Sequence, residues 1–250
     1  MDVALERHDA DAAVEVGVLS GRFVCPAARL AELQAALAPE RTIRLALIVN
    51  PFEDTAIQSA LSAVASDRRL ELAGLEGPLP EEAAAPTALP GGVPAFAEIP
   101  VTGGWEPGFH TIEASSGRMG VKVRAGGVRA ELFPTCEQLG RLVHACAAAG
   151  VPFKATAGLH HAVRYRDERT GFFHHGYLNL LVAASRAAGH EPRDAVIDAL
   201  EVTAPEALVA EAHDISPEHA ARTRRLFVSY GSCSTSEPVE DLRALGLLHE

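Results

Sequence analysis

Lysine is nearly absent from this chain: of 22 basic residues, 20 are arginine and only Lys122 and Lys154 are lysine. No run of 18 or more apolar residues occurs, so no transmembrane helix is expected. An excess of positive charge is missing too. The 33 acidic residues against 22 basic ones give a net charge of -11, which repels a phosphate backbone, so nucleic acid is not an expected partner. The four cysteines (Cys25, Cys136, Cys146 and Cys233) lack C-x-x-C spacing, which argues against a zinc ribbon, and three of them read as packing thiols of a reducing compartment. Met1 to Ala10 is charged and has no signal-peptide apolar stretch, so a cytoplasmic address without membrane contact is expected.

With 250 residues, 48% of them hydrophobic, the chain can bury a full core. Short β-rich runs alternate with helical stretches: Val16 to Cys25, Arg44 to Val49, Leu70 to Gly77, Ala95 to Val101, Gly120 to Arg124, Val151 to Ala157 and Leu226 to Tyr230. Leu30, Leu33 and Leu37 share one helical face, and Ile57, Ala60, Leu61 and Val64 another. After Pro134, Thr135 and Gln138 form a capping-box pair, Leu139, Leu142, Val143 and Cys146 make an apolar stripe, and Gly150 ends it. The Pro- and Gly-rich stretch 78–94 reads as a surface loop, and 171–225 as a helical insertion broken at Gly189, Pro192, Pro205 and Pro217. The insertion is open to use as a lid, a homo-oligomer interface or extra packing.

This pattern predicts one α/β domain over 1–250, a (β/α) TIM-type barrel with seven strands or an eighth around Phe109 to Ala114; an open doubly wound sheet is the alternative.

A chain that uses arginine almost everywhere keeps lysine where a deprotonatable amine is needed, because arginine cannot lose its proton. Both lysines sit in apolar strand runs, Gly-Val-Lys122-Val-Arg and Val-Pro-Phe-Lys154-Ala-Thr, each followed by a glycine-containing turn. They should therefore project near the C-terminal ends of strands, where parallel α/β folds bind ligands. Two ammonium groups close together can activate one of them to form a Schiff base with a carbonyl substrate. Pairing with a carboxylate such as Glu98 is the purely structural use of the same residues.

The runs Gly-Val-Lys122-Val-Arg-Ala-Gly126, Val-Pro-Phe-Lys154-Ala-Thr-Ala-Gly158 and Leu-Phe-Val-Ser-Tyr-Gly231-Ser-Cys-Ser234 resemble the last three strands of class I aldolases of the deoxyribose-phosphate aldolase kind. The resemblance spans about Ala95 to Leu248. It implies that Lys122 forms the Schiff base, that Lys154 tunes it, and that Gly158, Gly231, Ser232 and Ser234 surround a substrate phosphate. Where that family has paired glycines and an arginine after the second lysine, this chain has Ala157, Gly158 and His160.

His160, His161, His174 and His175 lie close in sequence, with His175 and Asn179 one helical turn apart. His160, His175 and Glu98 are candidate proton-transfer residues. A metal-dependent hydrolase or lyase using His160, His161 and His175 is an alternative, although metal-ligand helix spacings such as His-x-x-x-His are missing. Arg124, on the same strand face as Lys122, offers a planar fork to a carboxylate or phosphate, and Gly126 allows backbone amides close to an anion. Asn179 completes the substrate-binding candidates. Cys233, at the start of a helix, could be a reactive thiol, but no histidine is near it in sequence. The leading expectation is a lyase, aldolase-like, acting on a small anionic carbonyl metabolite and needing no metal or other cofactor; a non-catalytic protein that binds such a metabolite is a further alternative.

Overall fold

The computed structural model describes residues 1–13, 21–80, 84–233 and 235–248. Its frame is a curled sheet of seven parallel strands in the order of the chain: β1 (Phe23–Pro26), β2 (Ile43–Ile48), β3 (Leu70–Pro78), β4 (Ala95–Glu98), β5 (Gly120–Arg124), β6 (Phe153–Thr156) and, at the far edge, β9 (Phe227–Gly231). All seven expected strands are present; the part of the first expectation over residues 16–20 lies outside the described residues. Between β6 and β9 a two-stranded antiparallel hairpin, β7 (Tyr165–Arg166) and β8 (Phe173–His174), stands apart from the main sheet.

The connections are largely helical: α2 (Leu30–Ala36), α3 (Asp54–Ala65), α4 (Glu106–Ala114) and α5 (Cys136–Ala149). Their apolar stripes meet the outer face of the sheet, where Leu45, Leu47, Ala97, Val121, Val123, Phe153 and Ala155 join Leu33, Ile57, Ile112, Leu139 and Cys146 in one core. In α5 the capping box of Thr135 and Gln138 is formed, and Gly150 closes the helix in the left-handed conformation.

Two expectations are corrected. The segment Phe109 to Ala114 is not an eighth strand but part of α4: Pro107 sits in its first turn, and Phe109 and Ile112, three apart, share its buried face. The stretch 171–225 is not wholly helical, because β8 opens it before α6 (Tyr177–Ala188), α7 (Arg193–Glu201), α8 (Pro205–Asp214) and α9 (Pro217–Leu226). Those helices serve at least as packing: Asn179 Nδ2 in α6 donates to the Ala199 and Val202 carbonyls at the end of α7, and Arg186 grips Glu211 of α8 with two bonds of 2.7 and 2.6 Å.

β1 and β9 are the sheet edges and do not pair with each other among the described residues. Helix α1 (Asp2–Ala13), which carries little amphipathic pattern, ties these two regions together. Leu5 is buried in the core, Arg41 ahead of β2 binds the Leu5 carbonyl and Asp9, and beyond β9 Arg7 donates to the Cys233 carbonyl and Thr235 to Asp11. No helix among the described residues is long and apolar enough to cross a membrane.

If α1 is this clasp, Leu5→Ala should destabilise the protein by about 2–4 kcal/mol, the range for emptying a buried leucine site. Urea unfolding checks it; a change within about 0.5 kcal/mol, typical of surface positions, would mean that α1 is not packed on the core.

Candidate functional site

Alternation along each strand sends every second side chain to the inner face of the curl. On β5 that face receives Lys122 and Arg124, while Val121 and Val123 face the helices. Register aligns Glu98 of β4 with Lys122 of β5, and Lys122 with Lys154 of β6. Glu76 of β3 reaches the same layer.

The four groups form a buried chain of opposite charges. Lys122 Nζ lies 2.9 Å from Glu76 Oε2 and 3.1 Å from Glu98 Oε2; Lys154 Nζ donates to Glu76 Oε1 at 3.1 Å. One carboxylate therefore bridges both ammonium groups, one oxygen to each. The contact between Lys122 and Glu76 Oε2 is an ion pair without hydrogen-bond alignment. The side chains of Lys122 and Glu76 are only 6% and 4% exposed, and Lys154 only 12%, so these charges are largely out of water. Burial pushes the Glu76 carboxyl up, but the charges of Lys154 and Lys122 and the hydrogen bond from Lys154 outweigh it, and the net shift is below the ordinary carboxylate value.

Arg124, 49% exposed, stands at the lip with Nη1 3.8 Å from Glu98 Oε1, a loose pairing that leaves its fork open to a ligand. Below the layer, Lys154 Nζ rests 5.9 Å from the centre of the Phe96 ring. Phe96 also lines a cavity of about 700 Å³ at the opposite, N-terminal end of the strands, together with Met119, Pro152 and Val228. Gly120 makes room for that ring, since a Cβ there would come within 2.7 Å of it. The ionic layer lies toward the C-terminal end of the strands, where the loops after β5 and β6 meet. Gly126 and Gly158 pack there backbone to backbone; a Cβ on either would lie 3.2 Å from the other's Cα.

The remaining predicted residues separate into groups. His160 is in the loop after β6, with Nδ1 2.8 Å from Glu237 Oε2 and Nε2 3.3 Å from Cys233 Sγ; Glu237 belongs to α10 (Ser236–Ala244). His161 pairs with Asp241 of the same helix at 3.3 Å. His175 is buried elsewhere, its Nε2 donating to the Pro134 carbonyl at 2.7 Å, and burial lowers its pKa to about 4. Three histidines with three different partners make no cage, and among the described residues no three or more His, Cys, Asp or Glu side chains are grouped to hold a metal ion. Asn179 spends its amide on backbone: besides the two bonds to α7, its Oδ1 accepts from the Arg164 N–H at 2.7 Å. It joins α6, α7 and the hairpin's approach rather than the lysine layer. Gly231 ends β9 opposite Thr156, Ser232 follows it, and Ser234 lies outside the described residues.

Two functional features escape the sequence. Glu76 is one of 33 acidic residues, and its only signal is a carboxylate near the C-terminal end of an apolar strand run. The contact of Cys233 with His160 spans 73 residues, so nothing local announces it. No protein-family model, curated protein or solved structure matches the chain.

Glu76→Gln would leave Lys122 with Glu98 and take from Lys154 the carboxylate it pairs with, and should cost about 3–5 kcal/mol at pH 7 by denaturant unfolding. Because the native Glu76 pKa is depressed, its contribution is full above the unfolded value of 4.5 and drains away as pH falls through the native one. The gap between wild type and variant should therefore narrow as pH falls below 4.5; a gap that does not change with pH would remove Glu76 from the ionic layer. His175 acts in a different window. Its native pKa of about 4 lies below the ordinary 6.5, so the unfolded chain binds more protons between those values, and stability should fall by about 3 kcal/mol as pH drops from 6.5 to 4. His175→Gln should flatten that slope, and an unchanged slope would show that the ring is not buried neutral.

Proposed function

We propose that the protein is a Schiff-base-forming lyase, aldolase-like, in which Lys122 attacks a small carbonyl compound carrying a carboxylate or phosphate. The observation that carries the reading is the pair Lys122 and Lys154, side by side on adjacent parallel strands and bridged by the buried Glu76. Stability gives little reason for such a layer, since apolar residues of similar volume commonly serve a core as well or better. Chemistry gives one.

In this reading Glu98, 3.1 Å from Lys122 Nζ, takes one ammonium proton. The neutral amine forms a C–N bond to the carbonyl carbon, and the resulting hydroxyl leaves as water with the proton that Glu98 held. The product is an iminium cation at the position of the former ammonium, so the counter-charges of Glu76 and Glu98 serve it unchanged. Its positive nitrogen then draws in the electron pair of the Cα–Cβ bond as that bond breaks, while the β-hydroxyl gives up its proton and departs as a carbonyl compound. Protonation of the enamine and attack of water release the second product and return the Lys122 amine. Lys154 holds the far oxygen of Glu76 and fixes the carboxylate between the two nitrogens. Arg124 at the lip would bind the substrate's anionic group.

A (β/α) barrel is the fold this reading assumes; seven parallel strands in chain order and the contacts of α1 with Arg41 and with Cys233 and Thr235 support it. Ala157 and Gly158, at the position of the aldolase motif's paired glycines, have φ of 65° and 77°, the left-handed region that favours glycine. A reducing, cytoplasmic setting suits four free cysteines.

Borohydride reduction with a panel of small aldehydes, ketones and 2-keto acids, read by peptide mass spectrometry, should place a reduced adduct on Lys122. Lys122→Arg should abolish it, and Glu98→Gln should slow its formation about a hundredfold, as for loss of a general base. The absence of an adduct on either lysine across the panel would sink the reading and leave the layer as a structural or ligand-binding feature.

A further inference from the structure

The loops after β6 and β9 place a second reactive group at the same end of the sheet. Cys233 Sγ is 3.3 Å from His160 Nε2, and His160 Nδ1 is 2.8 Å from Glu237 Oε2. A carboxylate only accepts, so Nδ1 carries the proton and donates to Glu237, leaving Nε2 to accept from the thiol. Nucleophile, base and orienting carboxylate thus stand in the relation that nucleophilic catalysis requires. The loop is anchored as well: Arg7 donates to the Cys233 carbonyl at 3.2 Å, Thr235 donates to Asp11 at 2.7 Å, and Tyr230 stacks on Tyr177 with ring centres 5.0 Å apart.

Cys233 is exposed, whereas Cys25, Cys136 and Cys146 are buried, and burial pushes all three of those thiols up. We propose that Cys233, His160 and Glu237 form a nucleophilic thiol site for acyl transfer from a small ester or thioester. Acyl transfer fits better than disulfide exchange. An intramolecular disulfide calls for a second accessible thiol to resolve it, and the other three cysteines are buried; a histidine held by a carboxylate supplies the proton shuttle that an acyl leaving group requires.

In the first half-reaction Sγ forms a bond to the acyl carbon as its proton passes to His160 Nε2. The tetrahedral intermediate expels the alcohol or thiol, which takes that proton, and a thioester remains on Cys233. Water then attacks the thioester as His160 takes one of its protons; the carboxylic acid leaves, and the proton returns to Sγ. Glu237 stays ionised throughout and orients the imidazole. None of these steps uses Lys122 or Lys154, so the site stands independently of the Schiff-base reading.

The test treats the whole protein with p-nitrophenyl acetate and follows nitrophenolate release, with peptide mass spectrometry of the quenched sample. The expected result is a burst with the acetyl group on Cys233, lost in Cys233→Ser and slowed about a hundredfold in His160→Gln. Iodoacetamide provides a second readout: wild-type Cys233 should alkylate about tenfold faster than glutathione at pH 7, and Glu237→Gln should remove most of that advantage. This comparison needs no His160 variant, so it decides the matter even if that variant does not fold. Acetyl found only on Lys122, Lys154 or the N-terminal amine, or a Cys233 no faster than glutathione, overturns the proposal.

Discussion

A buried carboxylate shared by two ammonium groups constrains the whole inner face of the sheet, because each of the three charges is tolerable only while the other two are in place. Glu76, Lys122 and Lys154 lie on β3, β5 and β6, so the pairing of β3 with β4, β4 with β5 and β5 with β6 must hold register across four strands. A slip of one residue in β6 would turn Lys154 into the helix-facing core and bring Phe153 or Ala155 to the charged layer. The outer face guards against this, since Val121, Val123, Phe153 and Ala155 are packed under the helices with almost no exposure. Apolar burial on one side of the sheet thus secures ion placement on the other. A register irregularity between β6 and β9 falls at Phe153 and Lys154, so the adjustment is absorbed on the β9 side while the β5 side stays regular.

Much of this architecture is legible in the sequence because its determinants are local. Seven apolar runs bounded by turn residues become seven strands, and Thr135, Gln138 and Gly150 mark α5 by cap chemistry that acts within one turn. The lysines stand out for a compositional reason, and the same alternation that places them on strands gives them a common face. Elements whose stability comes from elsewhere are silent. Asp2–Ala13 has no apolar stripe beyond Leu5 and is held through arginine contacts to distant loops. The hairpin strands β7 and β8 are two residues each, too short for a period to show; they are joined by Tyr165 stacking on His174 at 4.9 Å. Phe109 and Ile112 illustrate the opposite failure: two apolar residues three apart fit a helical face and not one strand face, and with Pro107 in the first turn the segment is helix α4.

The candidate site divides along the same line. Glu98, the register neighbour of Lys122, and Arg124, two residues from Lys122 on one strand, are foreseeable members of the site, and Glu98 pairs with both cations. Glu76 requires knowing that β3 and β5 lie within side-chain reach across β4, which is a property of the curl rather than of any strand. His175, just ahead of α6, and Asn179, in its first turn, look like site residues because polar side chains in a mostly apolar stretch invite a functional reading. Their role follows from the insertion: a helix buried among α5, α7 and α9 needs polar groups to satisfy the carbonyls at its neighbours' ends, and these two do so at Pro134, Ala199 and Val202.

The long connection from β6 to β9 also determines what gathers at the rim. A single crossover helix would have returned the chain to β9 within about a dozen residues, the minimum for a parallel crossover. Here the hairpin and four helices intervene, so the loop after β6 can carry His160, His161 and Tyr165 outward before the chain leaves. When the chain returns, α10 begins beside that loop and presents Glu237 and Asp241 to the two histidines, each carboxylate on its own imidazole. Asp241 also accepts from the Ala162 N–H at 2.7 Å, which fastens the loop itself and not only the ring. The rim is therefore held by exposed and half-exposed polar contacts while the floor is held by buried ions. Cys233 at the rim is exposed and Lys122 at the floor is buried, so thiol and amine stand in different dielectric surroundings at one end of one sheet.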